Sequence, residues 1–123
     1  MSGKHINVCC WKTDRLIILY LNGKVKSIHG PEINVIGHSR EAANRDGSVK
    51  GSLSSPILCQ EDDEGNVLIA DYPNDRLLLF TTDCKWYDVT PGGVNRLNGA
   101  LEKNGRLYVC SWVENSIIMF KIE

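Results

Sequence analysis

The side chains able to do chemistry in this 123-residue chain are few and scattered. His5, His29 and His38 have no Glu or Cys at metal-ligand spacing, and no Gly-x-Ser-x-Gly elbow presents a nucleophile. Cys9, Cys10, Cys59, Cys84 and Cys110 are odd in number and form no C-x-x-C pair, which indicates neither a disulfide framework nor a zinc site. The acidic run Glu61-Asp62-Asp63-Glu64 lacks the alternating ligand spacing of a calcium loop and reads as a solvated turn. No catalytic residue, metal ligand or cofactor is expected. What does recur is an aromatic beside polar groups, in Trp11-Lys12-Thr13-Asp14, Tyr72-Pro73-Asn74-Asp75 and Trp112-Val113-Glu114-Asn115. Gathered on one surface, such side chains suit the stacking of bases or the anchoring of a protein partner. The expected binding face is Trp11, Lys12, Tyr72, Asn74, Arg96, Trp112 and Asn115. Packing is the competing use: the aromatics wedge between repeats, while Asp14, Asp71, Asn74, Asp75 and Asn115 cap their own turns and Arg15 and Arg76 brace them.

These turns sit at matching places because the chain repeats itself. Moving Asn66–Val89 forward by 40 residues lays Leu107–Phe120 on it without a gap, placing Cys110 on Ala70, Trp112 on Tyr72 and Asn115 on Asp75. Moving it back by 61 fits Val8–Ile28, with Cys9 on Ala70, Trp11 on Tyr72 and Asp14-Arg15-Leu16 on Asp75-Arg76-Leu77. Three copies of a unit of about 40 residues, each made of short strands and polar turns, are the signature of blades in a β-propeller. The fold class expected is therefore all-β, with about two and a half four-stranded antiparallel blades. Blade one spans 5–29, a connector loop 30–55, blade two 56–90 and blade three 96–123.

Local signals agree with that division. Arg15–Leu21 is too continuously apolar for a strand with one wet face, so it is expected between neighbouring sheets. Asn22-Gly23 marks a tight hairpin into Lys24–His29, and Pro91-Gly92-Gly93 breaks the ladder before the third copy. The segment Gly30–Ser55, rich in Gly, Ser, Asn and charge, reads as an irregular loop packed over one face, with Arg40, Glu41 and Arg45 solvated or lining that face. Apolar residues make up 42% and charged residues 24% of the chain, and the formal charge is −1. That balance fits a soluble domain with one modest core and argues against a strongly basic nucleic-acid binder. No apolar run reaches the roughly 18 residues of a membrane helix, and a cytoplasmic location is expected.

The middle copy resembles the NHL repeat. Gly65-Asn66 opens a strand, Ala70-Asp71 closes it, and Asn74, Arg76-Leu77 and Phe80 follow. At the Asp position the outer copies carry Cys10 and Ser111, at the Asn position Thr13 and Glu114, and at the Arg position the third copy carries Ser116. Gly37 through Asp46-Gly47 to Leu53 and Pro56 is similar to the connector between blades in that family. The resemblance implies a non-catalytic interaction module that recruits a protein partner, as the NHL domains of tripartite-motif ubiquitin ligases do. It also admits single-stranded RNA binding through the loop face, or a fragment of a propeller hydrolase or lyase. Two and a half blades leave two sheet faces bare, so completion by a second copy, or by more of a longer propeller chain, is expected.

Overall fold

The computed structural model describes residues 5–37, 48–91, 97–111 and 116–121. The chain is all-β, built as three stacked sheets with one 3-10 turn among the described residues. The first sheet contains β1 (Ile6–Cys10), β2 (Arg15–Leu19) and β3 (Val25–His29). The middle sheet contains β4 (Glu32–Ile36), β5 (Ser48–Ser52), β6 (Pro56–Glu61), β7 (Val67–Asp71), β8 (Arg76–Phe80) and β9 (Trp86–Asp88), in the order β5-β4-β9-β8-β7-β6. The third contains β10 (Leu97–Lys103), β11 (Arg106–Ser111) and β12 (Ser116–Lys121).

The three copies pair in one register. Asp71 faces Arg76 across the β7–β8 ladder, and the same step places Cys10 opposite Arg15 and Ser111 opposite Ser116. A one-residue slip would turn every side chain to the other face of its sheet, so a shared register means that equivalent residues share a face. The turns repeat as well. Asp14 and Asp75 occupy equivalent left-handed positions at φ 59° and 51°, a conformation that Asp tolerates through local hydrogen bonding. Gly23 pairs with Cys84 in the same way, and Gly65 with Gly105.

Packing follows from the alternation of side chains along each strand. All five residues of β7 are buried. Val67 and Ile69 point to one side, where with Leu78, Phe80 and Trp86 they meet Leu16 and Ile18 of the first sheet. Leu68 and Ala70 point to the other, where with Leu77 they meet Leu97, Leu107 and Val109 of the third. The middle sheet is thus covered on both faces. At its β6 edge, consecutive residues tie it to both neighbours: the Asn7 amide donates to Glu61 at 2.6 Å, while Gln60 donates to the Glu102 carbonyl at 3.0 Å and accepts from its N–H at 2.8 Å.

The expectation of an irregular connector over 30–55 is corrected here. β4 and β5 pair with each other antiparallel, and β4 runs parallel to β9, so the second copy's four strands become six. The physical reason is visible in Glu-Ile-Asn-Val-Ile. Ile33 and Val35 alternate with exposed Glu32 and Asn34 and complete the core around Leu16 and Ile18, a period of two that the surrounding Gly, Ser and charge obscured. Leu53 is also buried in that core. Gly30 leads into β4 at φ 95°, and a Cβ there would lie 2.6 Å from the Asp14 carbonyl oxygen, so the chain can pass this turn only as glycine. His38, Arg40, Glu41, Arg45 and the Asp46-Gly47 pair lie outside the described residues.

Candidate functional site

At the end of the sheets that carries the repeated aromatic turns, the acidic groups serve the chain itself. The Asp14 carboxylate accepts the Ser55 N–H at 2.8 Å, just before β6 begins. Its equivalent, Asp75, accepts the Leu97 N–H at 3.1 Å, at the first residue of β10. Each left-handed aspartate therefore latches the start of an edge strand of the next sheet. Asn115, which aligns with both in sequence, lies outside the described residues.

A second network closes the turn of the middle copy. Asp71 is fully buried; its carboxylate accepts the Ser54 N–H at 2.8 Å, the Asn74 amide at 2.9 Å and the Arg76 Nε at 2.6 Å. Arg76 reaches on to the Ser52 carbonyl at 2.9 Å, and Asn74 to the same oxygen at 3.3 Å. Charge-assisted bonds of this kind satisfy both the buried charge and the backbone of the passing segment. Asn74, expected in a binding face, is exposed while its amide is tied to its own turn.

The remaining expected residues divide as follows. Trp11 is 63% exposed, and the Lys12 ammonium lies 5.8 Å from the centre of its ring, within cation–π range. Tyr72 begins the 3-10 turn Tyr72–Asn74, and its side chain lies outside the described atoms. Arg96, Trp112 and Asn115 lie outside the described residues. The structure presents Trp11 and Lys12 as an outward pair and leaves Asn74 exposed with its amide engaged by Asp71 and the Ser52 carbonyl.

A cleft that sequence reasoning missed opens at the opposite end, between the first and middle sheets. It encloses about 560 Å³ between His5, Asn7, Tyr20 and Lys26 on one side and the Glu61–Gly65 turn on the other. Lys26 Nζ lies 3.3 Å from His5 Nε2. Asp62 caps its own turn, accepting the N–H groups of Glu64 at 2.9 Å and Asn66 at 2.8 Å, and Asp63 and Glu64 are exposed. Glu61, expected in the same solvated turn, instead ends β6 and bonds to Asn7. The Asn7 amide oxygen is buried there without a hydrogen-bond partner among the described residues. One sequence signal pointed to this place: Asn7 stands where the middle copy has Leu68, a polar residue in an otherwise apolar register. Among the described residues, no three His, Cys, Asp or Glu side chains gather closely enough to hold a metal ion.

Part of the surface is apolar. Ile6, Val8, Val25 and Ile28 are exposed on the first sheet, and Leu101, Ile117 and Met119 on the third. No helix among the described residues is long and apolar enough to cross a membrane. No family model matches this chain, and no curated protein is significantly similar to it.

Proposed function

We propose that this chain is an arc of an NHL-type β-propeller and acts as a non-catalytic cytoplasmic module that recruits a protein partner through its aromatic turn end. The observation that carries the reading is the division of labour at that end. Asp14, Asp71, Asn74, Asp75 and Arg76 fasten the turns and connectors into a rigid base, from which Trp11 and Lys12 project to solvent. A large aromatic held on a rigid base loses little freedom on binding, which is how interface anchors concentrate affinity. The three-copy register supports the propeller part of the reading, and the turn motifs of the middle copy support the family.

The test compares wild-type chain with Trp11→Ala as bait in an affinity enrichment, followed by binding measurements with each purified protein recovered. A genuine partner should bind the variant at least about tenfold more weakly, the loss expected of an anchor residue. Partners that bind both baits equally would remove the aromatic turn from the proposal. A labelled single-stranded oligonucleotide serves as the competing ligand. Binding that falls by orders of magnitude between about 50 and 200 mM salt would transfer the function to RNA.

A further inference from the structure

The middle sheet shows what each face of a copy accepts. Its Val67, Ile69, Leu78 and Phe80 face is covered by Cys9, Leu16 and Ile18 of the first sheet. Its Leu68, Ala70, Leu77 and Leu79 face is covered by Leu107, Val109, Ile118 and Phe120 of the third. The repeat offsets turn these two contacts into one. Cys9, Leu16 and Ile18 are the equivalents of Ala70, Leu77 and Leu79, and Leu107, Val109, Ile118 and Phe120 are the equivalents of Val67, Ile69, Leu78 and Phe80. Both junctions therefore set the same type of face on the same complementary type.

Each type also occurs once with no described residue over it. On the first sheet the Val67-type face is Ile6, Val8, Ile17, Leu19 and Val25, with Val25 55% exposed. On the third sheet the Ala70-type face is Tyr108, Cys110, Ile117 and Met119, with Ile117 70% exposed. We infer that these two faces pack on each other head to tail between two copies of this chain, closing a ring of six blade-like sheets. The inference rests on the propeller reading above. A second copy is the fitting occupant because one chain carries both complementary halves of a junction already formed twice inside it. A like-on-like dimer would oppose two faces of one type, a contact made nowhere among the described residues. Six is within the usual four to eight blades of a closed propeller, and a head-to-tail contact that closes in this way gives a finite assembly.

Sedimentation velocity on the 123-residue chain at micromolar concentration should give a species of twice 13.8 kDa. Val25→Glu and Ile117→Glu each place a charge on one face and should each sediment as a monomer. Both positions are exposed in the single chain, and an unchanged circular dichroism spectrum with a cooperative urea transition establishes that the variants fold, the midpoint falling only by the lost association. Mixed in equal amounts, the two variants should dimerise again. One junction of the mixed pair then contains both substitutions and the other contains neither, so association returns more weakly than in wild type, where two junctions act together. A wild-type monomer, an assembly larger than the pair, or a mixture that stays monomeric would each overturn the inference. Trp11→Ala should remain dimeric, so a failure of partner binding and a failure of ring closure are read separately.

Discussion

Replacing Asp71 by Ala should be the most damaging single substitution at the turn end. The carboxylate is fully buried and accepts from Ser54 N–H, Asn74 and Arg76, so its removal orphans one backbone donor and one guanidinium together. Breaking a buried ion pair from one side costs about 3–5 kcal/mol. Because the Arg76 side chain is 20% exposed and can turn partly to water, a value near the lower end, ~3 kcal/mol, is expected. With a urea dependence of about 2 kcal/mol per molar, the unfolding midpoint should fall by about 1.5 M. Asp71→Asn keeps the shape and an acceptor for Ser54, and should lose about half as much. In the double variant Asp71→Ala with Arg76→Met, the stranded cation is gone, so the combined loss should be well below the sum of the two singles. Equilibrium urea unfolding followed by tryptophan fluorescence compares wild type with Asp71→Ala, Asp71→Asn, Arg76→Met and the double variant. A loss below about 1 kcal/mol for Asp71→Ala, or strict additivity in the cycle, would refute the claim that this network holds the connector in place.

Two further outcomes follow from the same geometry. Asp14→Ala and Asp75→Ala each remove an acceptor from a strand-opening amide and should each cost about 1.5–3 kcal/mol in urea unfolding, with Asn at either position recovering most of the loss because it tolerates left-handed backbone and keeps an acceptor. His29, packed 4.4 Å from the Phe80 ring, has its pKa lowered below the ordinary 6.5 by burial, so the unfolded chain binds the proton more readily. Its effect is absent above the ordinary pKa, and stability should fall as pH drops through 6.5 towards the lower folded value; His29→Phe should flatten that part of the stability profile in urea titrations.

The repeat was legible because its strongest constraints are local. The offsets of 61 and 40 residues align the turn-flanking pairs Cys10–Arg15, Asp71–Arg76 and Ser111–Ser116, and these are the pairs that face each other across the ladders. A tight turn fixes register, and register fixes which residues go inward, so a match in the turns carried the rest of each hairpin with it. The continuous apolar run Arg15–Leu21, expected between two sheets, is covered on one face only among the described residues: Leu16 and Ile18 are in the core, Ile17 and Leu19 are half-buried, and Tyr20 and Leu21 lie exposed beyond the end of β2. What escaped was set by distance along the chain. β4 pairs with β5 across a stretch of Gly, Ser and charge and joins the sheet only through β9, about fifty residues further on, so its five-residue alternation carried little weight alone. The cleft beside Asn7 depends on Glu61 arriving from another sheet. That Asn74 also reaches the Ser52 carbonyl could not be read locally, because that oxygen arrives only once the connector folds back.

The two aspartate latches have a consequence for how motion in this molecule can be observed. The amides of Ser55 and Leu97 are held by carboxylates from the preceding sheet. Deuterium uptake at Ser55 therefore gauges parting of the first seam, and uptake at Leu97 gauges parting of the second. Slow exchange at one with fast exchange at the other would show which slice peels away first, and would do so without any label added to the protein.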